Sequence, residues 1–203
     1  KEITKGLNFN IGEVVGAIVT HSHLDHCKGA DGLSKAGIDV YTAKETIQAL
    51  NLTGHRIHAI EPLQQFNIGD FQVLPFPTEH DCEGSLSFLI QYTPTKEKLL
   101  FITDSYYCKY KFRDINYLLI ESNYIKETLD QNIADGYINQ AMKPRLLQSH
   151  FSLENVKEFL KANDLSQCRN IVLLHLSERN SSAPRMIKEI EELTGIKTSV
   201  ADA

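Results

Sequence analysis

Residues 20–26 read Thr20-His21-Ser22-His23-Leu24-Asp25-His26. Three imidazoles and one carboxylate fall within this short stretch, and each is a good ligand for zinc or a similar divalent cation. The backbone cannot wrap four ligands from so few residues around one ion. Two neighbouring ions suit the spacing better, with His21 and His23 directed to one and Asp25 and His26 to the other. Metal pairs about 3.5–4 Å apart clamp both the attacking and the leaving oxygen of a hydrolysis. The preceding run, Val14-Val15-Gly16-Ala17-Ile18-Val19-Thr20, is apolar and β-branched and predicts a buried strand over 14–20. The ligands then sit on the loop at its C-terminal end, where α/β proteins carry chemistry on a rigid base. The alternative is a chance cluster of surface histidines. Eight histidines in 203 residues are too few to make so dense a group readily.

Three later apolar runs each lead into a further candidate ligand. His80, in Thr78-Glu79-His80-Asp81, follows the strand-like 71–76. Asp104 follows Lys98-Leu99-Leu100-Phe101-Ile102-Thr103, and His175 follows Asn170-Ile171-Val172-Leu173-Leu174. The pattern H-x-H-x-D-H after a hydrophobic strand, followed by His, Asp and His in this order, resembles the metallo-β-lactamase superfamily over almost the whole chain. The resemblance implies an α/β fold, the αββα sandwich, as a single hydrolase domain over 1–203. In that family additional strands open the chain and carry an Asp-x-Gly turn. This sequence starts after that point and so lacks those first strands, and the expectation is that the natural protein is longer or that a partner covers the unpaired sheet edge.

The resemblance also implies a ligand set. His21, His23 and His80 hold one ion, Asp25, His26 and His175 the other, and Asp104 bridges. A shared water, whose pKa a bound ion lowers to about 7, is then the nucleophile. Zinc is the first choice of metal, with manganese or iron as alternatives. Thr20, Ser22 and Glu79 are near enough in sequence to orient the imidazoles. Cys27 and Cys82 adjoin the ligands, but the set is complete without a thiolate. Asp at 104 argues against antibiotic hydrolysis, because the true β-lactamases of this fold mostly place Cys there. His23 excludes the flavodiiron pattern, which has Glu in its place.

Leu119-Ile120-Glu121-Ser122-Asn123, Ser149-His150-Phe151-Ser152 and His175-Leu176-Ser177-Glu178-Arg179-Asn180 closely resemble the YycJ/WalJ branch, regarded as DNA exonucleases. Ser149 stands where that branch usually has Gly, and Tyr124 where it usually has His. In nuclease-type members a Glu after a strand and a His opening a helix protonate the leaving oxygen. Glu121 and His150 match those places, and with Asp25 they form the expected catalytic set. Glu121 as an ordinary strand-end residue, and His150 as a neighbour of a helix cap, is the plainer alternative.

The chain is long enough for one domain with a real core. Its net charge of −5 argues against a globally basic nucleic-acid binder, though not against a local contact surface. Lys109, Lys111 and Arg113, interleaved with Tyr106, Tyr107 and Tyr110, form one such surface candidate. Lys143 with Arg145, and Arg179, form others, and His55 with His58 suggests a basic finger. Cys27, Cys82, Cys108 and Cys168 show no paired spacing, which suits a reducing, cytoplasmic setting. No apolar run is long enough to cross a bilayer.

Helices are predicted near 27–36, 43–51, 152–162 and 183–193, and the end of one at 1–8. Strands are predicted at 38–41, 56–60, 71–76, 85–92, 97–103, 115–121, 170–175 and 197–200, with a turn at 67–70. The leading functional expectation is a nuclease acting on nucleic acid, DNA before RNA, with no membrane partner. A glyoxalase II-type thioesterase or a lactonase uses the same ligands without the Glu121/His150 acid. A non-catalytic binding module is the third reading.

Overall fold

The computed structural model describes residues 2–8 and 10–201, apart from the side chains of Glu2 and Thr4; Lys1, from the helix end predicted over 1–8, lies outside them. The chain divides into two compact units, one reaching to Pro77 and including Cys82–Ser87, the other comprising Thr78–Asp81 and the residues from Phe88 onward.

The first unit opens with α1 (Glu2–Gly6) and a 3₁₀ turn at Ile11–Glu13. A three-stranded parallel sheet follows, ordered β1 (Ala17–Ile18), β2 (Val40–Thr42), β3 (Ile57–Ala59). Between its strands run α2 (Leu24–Cys27), α3 (Ala30–Lys35) and α4 (Lys44–Ala49). Val19, Cys27, Ala30 and Val40 form the core beneath them. Gly16 admits no side chain, because a Cβ there would come within 2.7 Å of Ile68. An antiparallel hairpin, β4 (Phe66–Ile68) and β5 (Phe71–Pro77), completes the unit.

Several predicted boundaries move. The strand expected over 14–20 is only β1: Val14 closes the 3₁₀ turn, its N–H donating to the Ile11 carbonyl, and Val15 is more than half exposed. The helix expected at 27–36 is two pieces. The first begins earlier, so Asp25 and His26 sit on a helical turn rather than a loop. The turn expected at 67–70 narrows to Gly69-Asp70, with Gly69 at φ +53°, because Phe66–Ile68 pairs with β5.

The second unit holds a sheet in the order β10 (Thr198–Val200), β9 (Asn170–Leu174), β8 (Tyr117–Glu121), β7 (Lys98–Ile102) and β6 (Leu86–Tyr92). Its first four strands are mutually parallel, and β6 runs antiparallel to β7. The crossover from β8 to β9 carries α5 (Lys126–Ala134), α6 (Lys143–Ser149) and α7 (Leu153–Ala162), and α8 (Ala183–Thr194) joins β9 to β10. Neither α5 nor α6 is among the helices expected from the sequence. Each buries one residue, Leu129 and Ser149 respectively, so neither shows an apolar stripe. α7 buries Leu153, Val156, Phe159 and Leu160 and is capped as predicted, with Ser152 Oγ accepting from Asn155 N at 3.1 Å. Ser152→Ala is expected to destabilise the protein by about 1 kcal/mol, read as a lower urea midpoint at unchanged m-value.

Candidate metal centre

Three neighbouring parallel strands build the acidic end of the second unit. The C-terminal ends of β7, β8 and β9 lie side by side, with Ile102 opposite Ile120 and Glu121 opposite Leu174. Asp104 follows β7 after one intervening residue, Glu121 closes β8, and His175 follows β9 directly. Adjacent strands lie about 4.8 Å apart, so the sheet itself delivers two carboxylates and an imidazole to one place. His175 Nδ1 lies 2.8 Å from Asp104 Oδ1 and 2.9 Å from Glu121 Oε1. His150, the extended residue that ends α6, puts Nδ1 2.7 Å from the same Glu121 oxygen. Asp104, Glu121, His150 and His175 each offer a ligand atom within 4.8 Å of the others.

Asp104 (φ +46°) and His175 (φ +54°) both occupy the left-handed region. For non-glycine residues that conformation costs of order 1 kcal/mol or more and persists only where the surroundings over-determine it. Here they do. Thr103 Oγ1 donates to Asp104 Oδ1 at 3.0 Å, and Asn123 Nδ2 donates to the His175 carbonyl at 2.7 Å. Ser177 N then donates to the Asn123 carbonyl at 2.8 Å. Strained backbone thus falls on two of the predicted ligands.

Glu121 is fully buried, and both its oxygens are satisfied. Oε1 accepts from the two imidazoles, and Oε2 from the backbone N–H groups of Ser105 (3.0 Å) and Phe151 (3.2 Å). A buried carboxylate is tolerated only when paired in this way. Hydrogen bonds that the His175 ring donates to Asp104 and Glu121 push its pKa up to about 10. Burial pulls the His150 imidazole down, but the hydrogen bond and charge of Glu121 overcome this and hold it above its ordinary value.

The His80 side chain is almost wholly buried, with Nε2 3.7 Å from Asp104 Oδ2. Its Nδ1 lies 3.1 Å from the Ser149 carbonyl. A carbonyl only accepts, so Nδ1 carries a proton, and Nε2 on the Asp104 side is the ring atom that a metal would take. This is the tautomer a metal ligand needs, fixed by a backbone partner. Ser149 therefore acts through its carbonyl, and the side chain that differs from the branch's usual Gly is not what orients His80. Arg145 holds the adjacent Asp81 at 2.9 Å. Tyr124, the other departure, is buried core, and burial raises its phenol to about 12.

In the first unit the four predicted ligands of the 20–26 stretch gather around His21. Its ring lies 4.7 Å from that of His23 and 4.4 Å from that of His26, and His26 Nε2 is 3.4 Å from Asp25 Oδ2. Thr20 Oγ1 lies 3.0 Å from His21 Nδ1, in the orienting place expected of it. Ser22 instead meets Cys82, at 3.3 Å, and Glu79 meets Lys109, at 3.6 Å. Cys27 donates to the Ser22 carbonyl at 3.3 Å, and burial raises its thiol, which suits a filler rather than a thiolate ligand. His58 and Arg56 turn to Asp39, at 3.0 and 3.4 Å.

Each unit thus collects its own share of the predicted residues: His21, His23, Asp25 and His26 in one, His80, Asp104, Glu121, His150 and His175 in the other. Buried carboxylates, imidazoles of fixed tautomer and strained ligand backbones fit a divalent cation. The positioning roles of Asn123 and Asn180 are not among the expectations from the sequence. The Asn180 carbonyl accepts from Ile125 N at 2.8 Å, and its Oδ1 accepts from Asn132 Nδ2 at 2.9 Å. Both asparagines stand in the motifs that were read, and a short amide side chain beside a strand end was the available signal.

The family described as the beta-lactamase superfamily domain matches residues 8–176. A curated relative, exodeoxyribonuclease YycJ of Bacillus anthracis, is 29% identical over 192 residues, covering 87% of this chain and 69% of its own. Among solved structures, the metallo-beta-lactamase fold protein YhfI of Bacillus subtilis superposes with a TM-score of 0.66 at 18% identity, covering 97% of this chain and 80% of the other. Igni18, a metallo hydrolase of Ignicoccus hospitalis, gives a TM-score of 0.64 at 12% identity, covering 92% and 76%. The chain belongs to the beta-lactamase superfamily, has the α/β metallo-β-lactamase fold, and is YycJ-like within it.

Proposed function

We propose that this chain is a binuclear metal-dependent phosphodiester hydrolase, a nuclease that acts on DNA before RNA in the manner of an exonuclease. In this reading residues 1–203 work as one hydrolase domain. His21, His23 and His80 would hold one ion, Asp25, His26 and His175 a second, and Asp104 would serve both, with zinc the first choice and manganese or iron the alternatives. Bound ions supply an acidified water and positive charge opposite the non-bridging phosphate oxygens. The observation that carries the reading is the Glu121–His150 pair. Glu121 accepts from His150 Nδ1 at 2.7 Å and favours the imidazolium, so His150 Nε2 has a proton to give to the leaving alkoxide. A thioesterase or lactonase needs no such acid. The YycJ relative is named an exodeoxyribonuclease, which favours DNA. A cytoplasmic setting suits the four free cysteines, and no helix among the described residues is long and apolar enough to cross a membrane.

The test is the zinc- or manganese-loaded full chain incubated with end-labelled single- and double-stranded DNA and RNA. A ladder of DNA products that EDTA abolishes is expected. Intact nucleic acid alongside rapid cleavage of a thioester such as S-lactoylglutathione would replace the reading with the small-molecule hydrolase.

A further inference from the structure

The connection between the parallel strands β7 and β8 has no helix. Residues 103–116 cross over as irregular chain, where parallel crossovers usually carry a helix. The segment includes Tyr106-Tyr107-Cys108-Lys109-Tyr110-Lys111, and it is held to α7 and its C-terminal cap at Tyr106 and at Phe112. Phe112 is buried beside Phe159, with ring centroids 6.4 Å apart, and its N–H donates to Asn163 Oδ1 at 2.7 Å. Asn155 Nδ2 donates to the Tyr106 carbonyl at 3.1 Å, and Ser105 Oγ donates to the Tyr107 carbonyl at 2.8 Å. Such bonds fix the loop before any ligand arrives.

Between this loop and α7 lies a cavity of about 500 Å³, well within the range of small-ligand sites. Asn155 and Asn163 spend their amides on its walls, so rings and ammonium groups are what the cavity offers a ligand. Tyr107 is 57% exposed, although it sits on a segment held at both ends. Lys109 Nζ lies 5.5 Å from the centroid of Tyr110 and 3.6 Å from Glu79 Oε1, a solvent-exposed pair that a phosphate would have to replace, and Lys111 is exposed. The carboxylate on the wall, Glu158, is paired with Lys161 at 2.7 Å, so its charge is compensated. The cavity is also tied to the residues of the metal centre. Phe151 on its wall follows His150 and donates its N–H to Glu121. Tyr106 N donates to the carbonyl of Glu79, the residue before His80, at 3.1 Å.

Aromatic faces beside ammonium groups match a base joined to a phosphate, and an exposed ring can stack only on a base that is not already stacked in a duplex. We propose that this cavity seats an unpaired nucleotide of a nucleic-acid strand, its base on Tyr107 and its phosphates on Lys109 and Lys111, beside the Asp104–Glu121–His150 cluster. The inference rests on the phosphodiesterase reading, and it adds the substrate feature that reading leaves open: a single-stranded segment.

The experiment titrates the metal-loaded full chain into a fluorescein-labelled, phosphorothioate-linked dT 12-mer and reads anisotropy. Tyr107→Ala is expected to weaken binding about tenfold or more, and an abasic 12-mer to bind the unsubstituted protein comparably weakly. Lys109→Ala and Lys111→Ala together should reduce the slope of log affinity against log salt by about 1.4, or about 0.7 for each phosphate contact to a single strand. If Tyr107→Ala unfolds, Tyr107→Phe retaining tight binding while Tyr107→Leu loses it makes the same point. Unchanged affinity on removing the ring, or equal affinity for the abasic strand, overturns the proposal. Turnover of bis(p-nitrophenyl) phosphate by the unsubstituted protein reads the phosphodiesterase separately. No turnover with Tyr107-dependent dT binding sinks that reading alone, and turnover with Tyr107-independent binding sinks the cavity alone.

Discussion

His150→Ala is expected to slow oligonucleotide cleavage by roughly 10²–10⁴-fold while bound metal stays at the wild-type level. His150 Nδ1 is committed to Glu121 at 2.7 Å, which leaves Nε2 as the ring's remaining proton-bearing atom. The alkoxide that leaves a nucleic acid is strongly basic and needs that proton in the transition state. A nitrophenolate is a weak base and departs without help. The loss should therefore shrink to a small factor on bis(p-nitrophenyl) phosphate. Glu121 also raises the His150 pKa, so the imidazolium persists to higher pH than an ordinary histidine would. The basic limb of the wild-type kcat profile should reflect this and disappear in His150→Ala. Equal losses on both substrates, or metal lost with the imidazole, would mean that His150 is a ligand or a structural residue rather than the acid.

Much of the second unit was legible because its ligands depend on strand ends. An apolar β-branched run predicts a strand, a strand has one C-terminal end, and parallel neighbours place those ends together. Asp104 and His175 were legible as residues just after such runs, in the order the family resemblance sets, and Glu121 through that resemblance alone; the structure puts His175 within bonding distance of both carboxylates. The 20–26 stretch was legible for a different reason, since its residue types are dense enough to read without any geometry. What was not legible came from bonds between distant segments. Nothing in Ser149 announces that its carbonyl fixes the tautomer of His80, 69 positions earlier. Nothing in the apolar Val14-Val15-Gly16 announces that the strand begins only at Ala17, because Val14 is spent closing the turn made by Ile11–Glu13. α5 and α6 were missed because helices that bury one residue each have no periodic stripe to detect. Tyr106 to Lys111 was legible as composition, but its cavity exists only because α7 packs beside it.

Zinc affinity is expected to rise about tenfold per pH unit between pH 7 and 9 for the one proton displaced from His175. Without metal, Asp104 and Glu121 raise this imidazole to about 10 from an ordinary 6.5, so it is charged throughout that window. Its Nδ1–H is held by the two carboxylates, and the proton on Nε2 is the one a cation must replace. The same shift fixes the sign for the metal-free protein. Because the folded pKa is raised, the stability it contributes is complete below about 6.5 and is lost as pH climbs through about 10. Metal binding and protonation therefore compete for one ring, and the zinc-induced rise in melting temperature should widen from pH 7 to pH 9. Titrations in chelator-buffered zinc give the slope, and calorimetry in two buffers of different ionisation enthalpy counts the proton released. His175→Gln should flatten the slope while lowering affinity at the high-pH end most. A flat profile in the unsubstituted protein, or binding without proton release, would mean that His175 serves the buried carboxylates alone and that the second ion, if held, is held without it.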